Sequence, residues 1–198
     1  MTYAIIGSGN IGHALATQFS RKGIEVMLAN SRGLGSLVDI AQALGPTIKP
    51  TTAKEALQAD VVILAIPFGA IPEAVKGVVS WSGRLVIDAS NAIEFPAFKP
   101  ADLGGRLSTE IVAEAVPGAR VVKAFNTIPA AKLKAQTALS GGRRLVVLSS
   151  DDASARADAA HLIEQLGFAA LDLGTLRQAS HLQQFGGAMV ALDLIKVT

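Results

Sequence analysis

The 198-residue chain contains no cysteine. That excludes disulfides, thiolate metal sites, iron–sulfur clusters and thiol nucleophiles. Its three histidines, His13, His161 and His181, lie in separate segments without the i, i+4 spacing of a ligand pair, so no metal site is expected. Charge of either sign is sparse. Only 17% of residues are charged, and 18 Lys and Arg against 16 Asp and Glu leave a net +2. No basic tract is present, so a nucleic-acid partner is not expected. Long apolar runs are missing as well, although half the residues are hydrophobic and the mean hydropathy is +0.41. The run Val61–Ile66 is broken by Pro67, far short of the ~20 residues a spanning helix needs. No membrane partner is therefore expected. The chain opens on a strand-like run, Tyr3–Ile6, with no basic leader, and a cytoplasmic location is the expectation.

What the sequence does contain is a series of short apolar runs with β character, alternating with helical segments. Strands are expected at Tyr3–Ile6, Ile24–Ala29, Val61–Ile66, Arg84–Asp88, Arg120–Ala124, Arg144–Ser149 and Ala169–Leu173. Helices are expected at Asn10–Lys22, Gly35–Leu44, Thr52–Leu57, Ala70–Val78, Thr109–Val116, Ala153–Leu166 and from about Leu176 onward. Strands that read as continuous apolar runs are those buried on both faces. The pattern predicts an α/β fold of the doubly wound Rossmann type, with a mostly parallel sheet flanked by helices. Residues 1–198 form a single domain in this reading, and residues from about 140 add a short α/β extension to the same sheet. The irregular stretch Asn91–Gly105 is the expected loop over a site.

The strongest local signal is Gly7-Ser8-Gly9-Asn10-Ile11-Gly12, a G-x-G-x-x-G that follows an apolar strand and opens a helix. Gly7 allows the tight turn, Gly9 allows close approach of a pyrophosphate, and Gly12 allows close packing of helix on strand. The free N–H groups of the helix start suit the phosphates. A bound dinucleotide is the favoured reading; a flavin dinucleotide and a ligand-free glycine turn remain the alternatives.

About 20 residues past these glycines, a site for NAD usually carries Asp or Glu to accept hydrogen bonds from the ribose hydroxyls. This chain reads Ala29-Asn30-Ser31-Arg32, with no carboxylate. Ser31 can donate to a phosphate oxygen and Arg32 can fork onto it. That is the chemistry of a 2′-phosphate pocket, and NADP(H) is the expected cofactor.

The carboxyl ends of the later strands, where ligands of such sheets sit, carry small residues and amides: Ile66-Pro67, Ser90-Asn91 and Phe125-Asn126-Thr127. No poised acid–base pair converges there. Hydride transfer between flat rings needs positioning and exclusion of water more than a proton donor. Asn91, Asn126 and Thr127 are candidates to fix the nicotinamide carboxamide or the acceptor's edge. The competing reading makes Asn91 and Asn126 turn residues that satisfy backbone groups.

Four segments together, Ile5–Gly12, Ala29–Arg32, Val86–Asn91 and Val121–Pro129, resemble the NADPH-dependent coenzyme F420 reductase family. The pattern is similar to that of the reductase domains of transmembrane metalloreductases. The C-terminal Leu171–Leu176 and Ala179–Leu182 also look like that family. The resemblance implies hydride exchange between NADPH and the deazaflavin F420. It implies pyrophosphate contacts at Gly7, Ser8, Gly9, Asn10 and Ile11, beside Gly12, and 2′-phosphate contacts at Ser31 and Arg32, beside Asn30. It further implies ribose contacts at Ile66 and Pro67, and a nicotinamide near Ala124 and Asn91. The deazaflavin would lie beside Asn126, Thr127, Ile128 and Pro129. Alternatives are reduction of a flavin, ferric chelate or small carbonyl compound, or a non-catalytic NADPH sensor.

Lys132 and Lys134 either meet an anionic acceptor tail or are solvated. His13 is a candidate neighbour of the phosphates and His181 of the acceptor. Trp81 is read as packing. The apolar stretch Gly186–Ile195 is read as a terminal helix that is either core or a homodimer contact.

Overall fold

In a computed structural model of the chain, residues 1–78 and 80–197 are described. The elements run β1 Tyr3–Ile6, α1 Asn10–Arg21, β2 Val26–Ala29, α2 Val38–Leu44, β3 Ile48–Pro50, α3 Ala53–Ala56, β4 Val61–Leu64, α4 Ile71–Ala74 and β5 Leu85–Asp88. They continue with a small hairpin, β6 Ile93–Glu94 and β7 Lys99–Pro100, then α5 Ser108–Ala115, β8 Arg120–Ala124, α6 Ala130–Lys134 and β9 Ala138–Leu139. The remainder is β10 Gly142–Ser149, α7 Ala153–Gln165, β11 Ala169–Asp172, α8 Leu176–Gln183 and β12 Ile195–Val197.

The main path of the sheet is β11-β10-β8-β5-β4-β1-β2-β3, and β9 and β12 pair with β10. Neighbours from β3 to β8 are parallel, and β10 enters antiparallel to β8. The fold is therefore a Rossmann-like α/β sheet, mostly parallel and flanked by helices. From β1 the chain winds outward through β2 and β3, then returns to β4 on the other side of β1. The crevice at the carboxyl ends of β1 and β4 is thus the switch point where such sheets hold ligands.

Alternation along the central strands feeds two cores. Ile5 and Ile63 pack on one face with Leu15, Phe19 and Phe168, while Ile6, Val62 and Leu64 pack on the other with Trp81 and Val112. Every second residue is apolar on each face, which is why β1 and β4 read as unbroken apolar runs. Helix α1 turns Ala14, Leu15 and Phe19 into the first core. Helix α7 starts at Asp152, whose carboxylate accepts from the Ser154 and Ala155 amides at 2.8 and 3.0 Å.

Three expectations need correction. The helix expected over Ala70–Val78 is a 3-10 turn, Phe68–Ala70, followed by the single turn α4. Gly77, at φ +87°, stops further propagation. The helix expected from Leu176 ends at Gln183. Gly186 and Gly187 follow, and the apolar stretch runs as turns into β12, which pairs antiparallel with β10. That stretch is not core, since Leu192, Ile195 and Val197 are exposed. The irregular stretch after Asn91 contains the β6–β7 hairpin. Among the described residues, no helix is long and apolar enough to cross a membrane.

Candidate dinucleotide crevice

The glycine loop follows from the close spacing of β1, β4 and α1. Gly7 has φ +112°, and a Cβ there would collide with the Ala65 carbonyl and lie 2.8 Å from Ile66 Cγ2. A Cβ on Gly12 would collide with the Gly7 carbonyl. Both glycines therefore serve the fold. Gly9 differs: a Cβ there would meet nothing within 4 Å. Its bareness serves no packing within the chain and leaves the loop open to close approach by a ligand. Asn10, Ile11 and Gly12 form the first turn of α1, and no acidic side chain stands there to compete for an anion.

The end of β2 is tied to this loop. Asn30 Nδ2 donates to Ser8 Oγ at 2.7 Å and to Ser36 Oγ at 2.9 Å, while Asn30 Oδ1 accepts from the Arg32 amide at 2.9 Å. Arg32 Nη2 donates to Ser8 Oγ at 3.2 Å. Arg32 thus lies over the glycine loop, and among the described residues no carboxylate is within ion-pair distance of it. Ser31 is exposed beside it. Ser36, in the 3-10 turn after Gly33, is a member of this cluster that sequence reasoning missed.

Across the crevice, Ile66 is half-buried and Pro67 exposed at the end of β4. Ala124 is fully buried. Phe125 then takes φ +64°, a left-handed backbone in a buried aromatic residue. This turn sends Asn126–Pro129 away from the sheet. Asn91 and Asn126 meet there: Asn91 Nδ2 donates to the Asn126 carbonyl at 2.8 Å, and Asn126 Nδ2 donates to Asn91 Oδ1 at 3.0 Å. Asn126 Nδ2 also donates to the Gln183 carbonyl at 2.7 Å. The two amides are engaged with each other and with the backbone. Thr127 and Ile128, 6% and 4% exposed, stand behind the loop surface; Asn91 and Pro129 are half-buried. The Ala191 amide donates to the Thr127 carbonyl at 2.7 Å, so the C-terminal segment covers this loop.

Beneath the loop lies a buried polar network that the sequence reading did not anticipate. Lys123 Nζ donates to Asp88 Oδ2 at 2.8 Å, to the Ser90 carbonyl at 2.7 Å and to Ser108 Oγ at 3.3 Å. Asp88 Oδ1 accepts from the Ser90 amide and hydroxyl, and Thr109 donates to Oδ2. Gln183 links α8 to the site: Nε2 donates to the Lys123 carbonyl at 2.9 Å and Oε1 accepts from Ser149 Oγ. A Lys and an Asp interrupting two apolar strands were the available signal. Lys132, one of the two lysines noted beyond Pro129, pairs with Asp193 at 3.1 Å. His181 is exposed on α8, and Trp81 is fully buried.

Residues 2–92 match the family model described as NADP oxidoreductase, coenzyme F420-dependent. The chain is 55% identical to Sinorhizobium meliloti SMa0349, described only as a hypothetical protein, with a TM-score of 0.97 over 99% of this chain and 96% of that one. A protein from Arthrobacter sp. FB24, described as an F420-dependent NADP-reductase, shares the fold at TM-score 0.80 and 22% identity, over 99% of this chain and 100% of that one. Rat metalloreductase STEAP3 is 27% identical over 183 residues, 90% of this chain; the chain spans about a third of that relative, 35% of its length. The matched residues 2–92 hold the glycine loop and the ends of β2, β4 and β5, so the similarity to the coenzyme F420-dependent NADP oxidoreductase family lies in the part of the chain that forms the crevice.

Proposed function

We propose that this chain is an NADP(H)-dependent oxidoreductase that exchanges hydride between NADPH and a deazaflavin of the coenzyme F420 type. The observation that carries the cofactor assignment is Arg32 lying on Ser8, with no carboxylate at the end of β2. Gly7, Ser8, Gly9, Asn10, Ile11 and Gly12 would hold the pyrophosphate, and Asn30, Ser31 and Arg32 the 2′-phosphate. NADPH, when bound, supplies the hydride. Ile66 and Pro67 would contact the ribose, with Ala124 and Asn91 at the nicotinamide end. The paired amides of Asn91 and Asn126, with Thr127, Ile128 and Pro129, form the wall against which the acceptor would be oriented. Among these residues none is an acid–base pair, which suits a reaction that depends on placing two flat rings together.

The family description supports F420 as the acceptor. Likeness to a metalloreductase favours a second reading, reduction of a flavin or ferric chelate. NADPH oxidation assayed in parallel with F420, FMN, FAD, ferric chelates and small carbonyl compounds separates these readings. F420 is expected to give the highest kcat/KM. Tight NADPH binding with no turnover of any acceptor would instead mark the protein as a sensor. A cytoplasmic enzyme acting as a homodimer completes the proposal. The exposed Leu192, Ile195 and Val197 of the C-terminal segment support the dimer, and sedimentation velocity tests it.

A further inference from the structure

The side of the crevice between the glycine loop and α6 is a cleft of about 520 Å³ lined by Ser8, Gly9, Asn10, His13, Ala130, Ala131 and Lys134. Its two walls are fixed to each other. The buried Gln18 side chain of α1 donates to the carbonyls of Leu133 and Ala135 at 2.6 and 2.7 Å, and Arg21 donates to the Lys134 carbonyl. The backbone on either side of Lys134 is therefore anchored to the helix that carries His13. Both titratable side chains lining the cleft are basic residues. Among the described residues, no carboxylate lies within 4 Å of either one. Lys132, two residues away, is by contrast neutralised by Asp193.

We infer that His13 and Lys134 form a phosphate subsite across from the glycine loop. The inference rests on the dinucleotide reading and extends it to residues outside the glycine motif. An ammonium and an imidazole on a wall that the protein does not neutralise itself are matched by an anion brought in from outside. Burial, and after it the charge of Lys134, holds the His13 pKa below the ordinary histidine value. The phosphate has two possible sources, the pyrophosphate of the dinucleotide or a phosphate on the acceptor's side chain.

The test uses His13→Gln and Lys134→Gln, both changes at partly or fully exposed positions. Dissociation constants are measured by fluorescence for NADPH and for 2′-AMP, which keeps the 2′-phosphate and lacks both phosphates of the pyrophosphate. They are measured again for FMN and riboflavin, which differ by one phosphate, with the protein saturated in NADP⁺. Each variant is expected to weaken one phosphate-bearing probe about threefold or more, the scale of a partly exposed charge contact. Weaker NADPH with unchanged 2′-AMP assigns the subsite to the dinucleotide. Weaker FMN with unchanged riboflavin assigns it to the acceptor. Equal changes within both pairs, or none, overturn the subsite while leaving the proposed activity standing. A wild-type protein that binds none of the four overturns both.

Discussion

Lys123 and Asp88 are register neighbours on β8 and β5, and their ammonium and carboxylate meet at 2.8 Å in the buried floor beneath the Asn91–Asn126 loop. All three ammonium protons have acceptors within 3.3 Å, and both carboxylate oxygens accept further hydrogen bonds. A buried pair is tolerated when it is this completely satisfied, and breaking one half leaves an unpaired charge. Lys123→Met is predicted to cost about 3–5 kcal/mol, and the double change Lys123→Met with Asp88→Asn to cost less. Urea unfolding checks this. Equal losses in the single and double variants would contradict it.

The three glycines of the loop should separate by role. Gly12→Ala places a methyl against the Gly7 carbonyl and Gly7→Ala places one against Ala65, at a φ that alanine resists. Both should lose at least about 2–3 kcal/mol of stability, through overpacking and strain. Gly9→Ala meets no neighbour, so its stability should stay within about 0.5 kcal/mol while NADPH binding weakens. Thermal melts with and without NADPH read both quantities.

Asp193 links the C-terminal segment to the body of the fold. It accepts from Arg144 at 2.8 Å and pairs with Lys132. The Arg144 hydrogen bond, with Lys132 assisting, holds its carboxyl below the usual carboxylate range. A lowered folded-state pKa gives stability that is fully present above the unfolded value, about 3.9, and is lost as pH falls through the folded value. The difference in stability between wild type and Asp193→Asn should be constant from pH 7 to 5 and shrink below about pH 4. A difference that grows on acidification would contradict this.

The sheet was legible because burial on both faces leaves strands such as Val61–Leu64 uniformly apolar, and the glycine loop because Gly7 and Gly12 answer backbone collisions that few other turns impose. The C-terminal segment was not. Its apolar residues suit a buried helix, yet after the Gly186–Gly187 break β12 pairs with β10 and exposes them. Asn91 and Asn126 were visible as amides at strand ends, but their pairing depends on Phe125 taking a left-handed turn, and no local signal marks a phenylalanine for that conformation. Gln183, more than 50 residues further on, joins them only through tertiary packing.

In the proposed function Arg32 is the residue that selects the phosphorylated dinucleotide. Titrating wild type and Arg32→Glu with NADPH and NADH measures this directly. The prediction is a loss of NADPH affinity of about 10- to 100-fold, the scale of a charge-assisted hydrogen bond, with NADH affinity little changed. Equal losses for the two dinucleotides, or no loss for either, would contradict it.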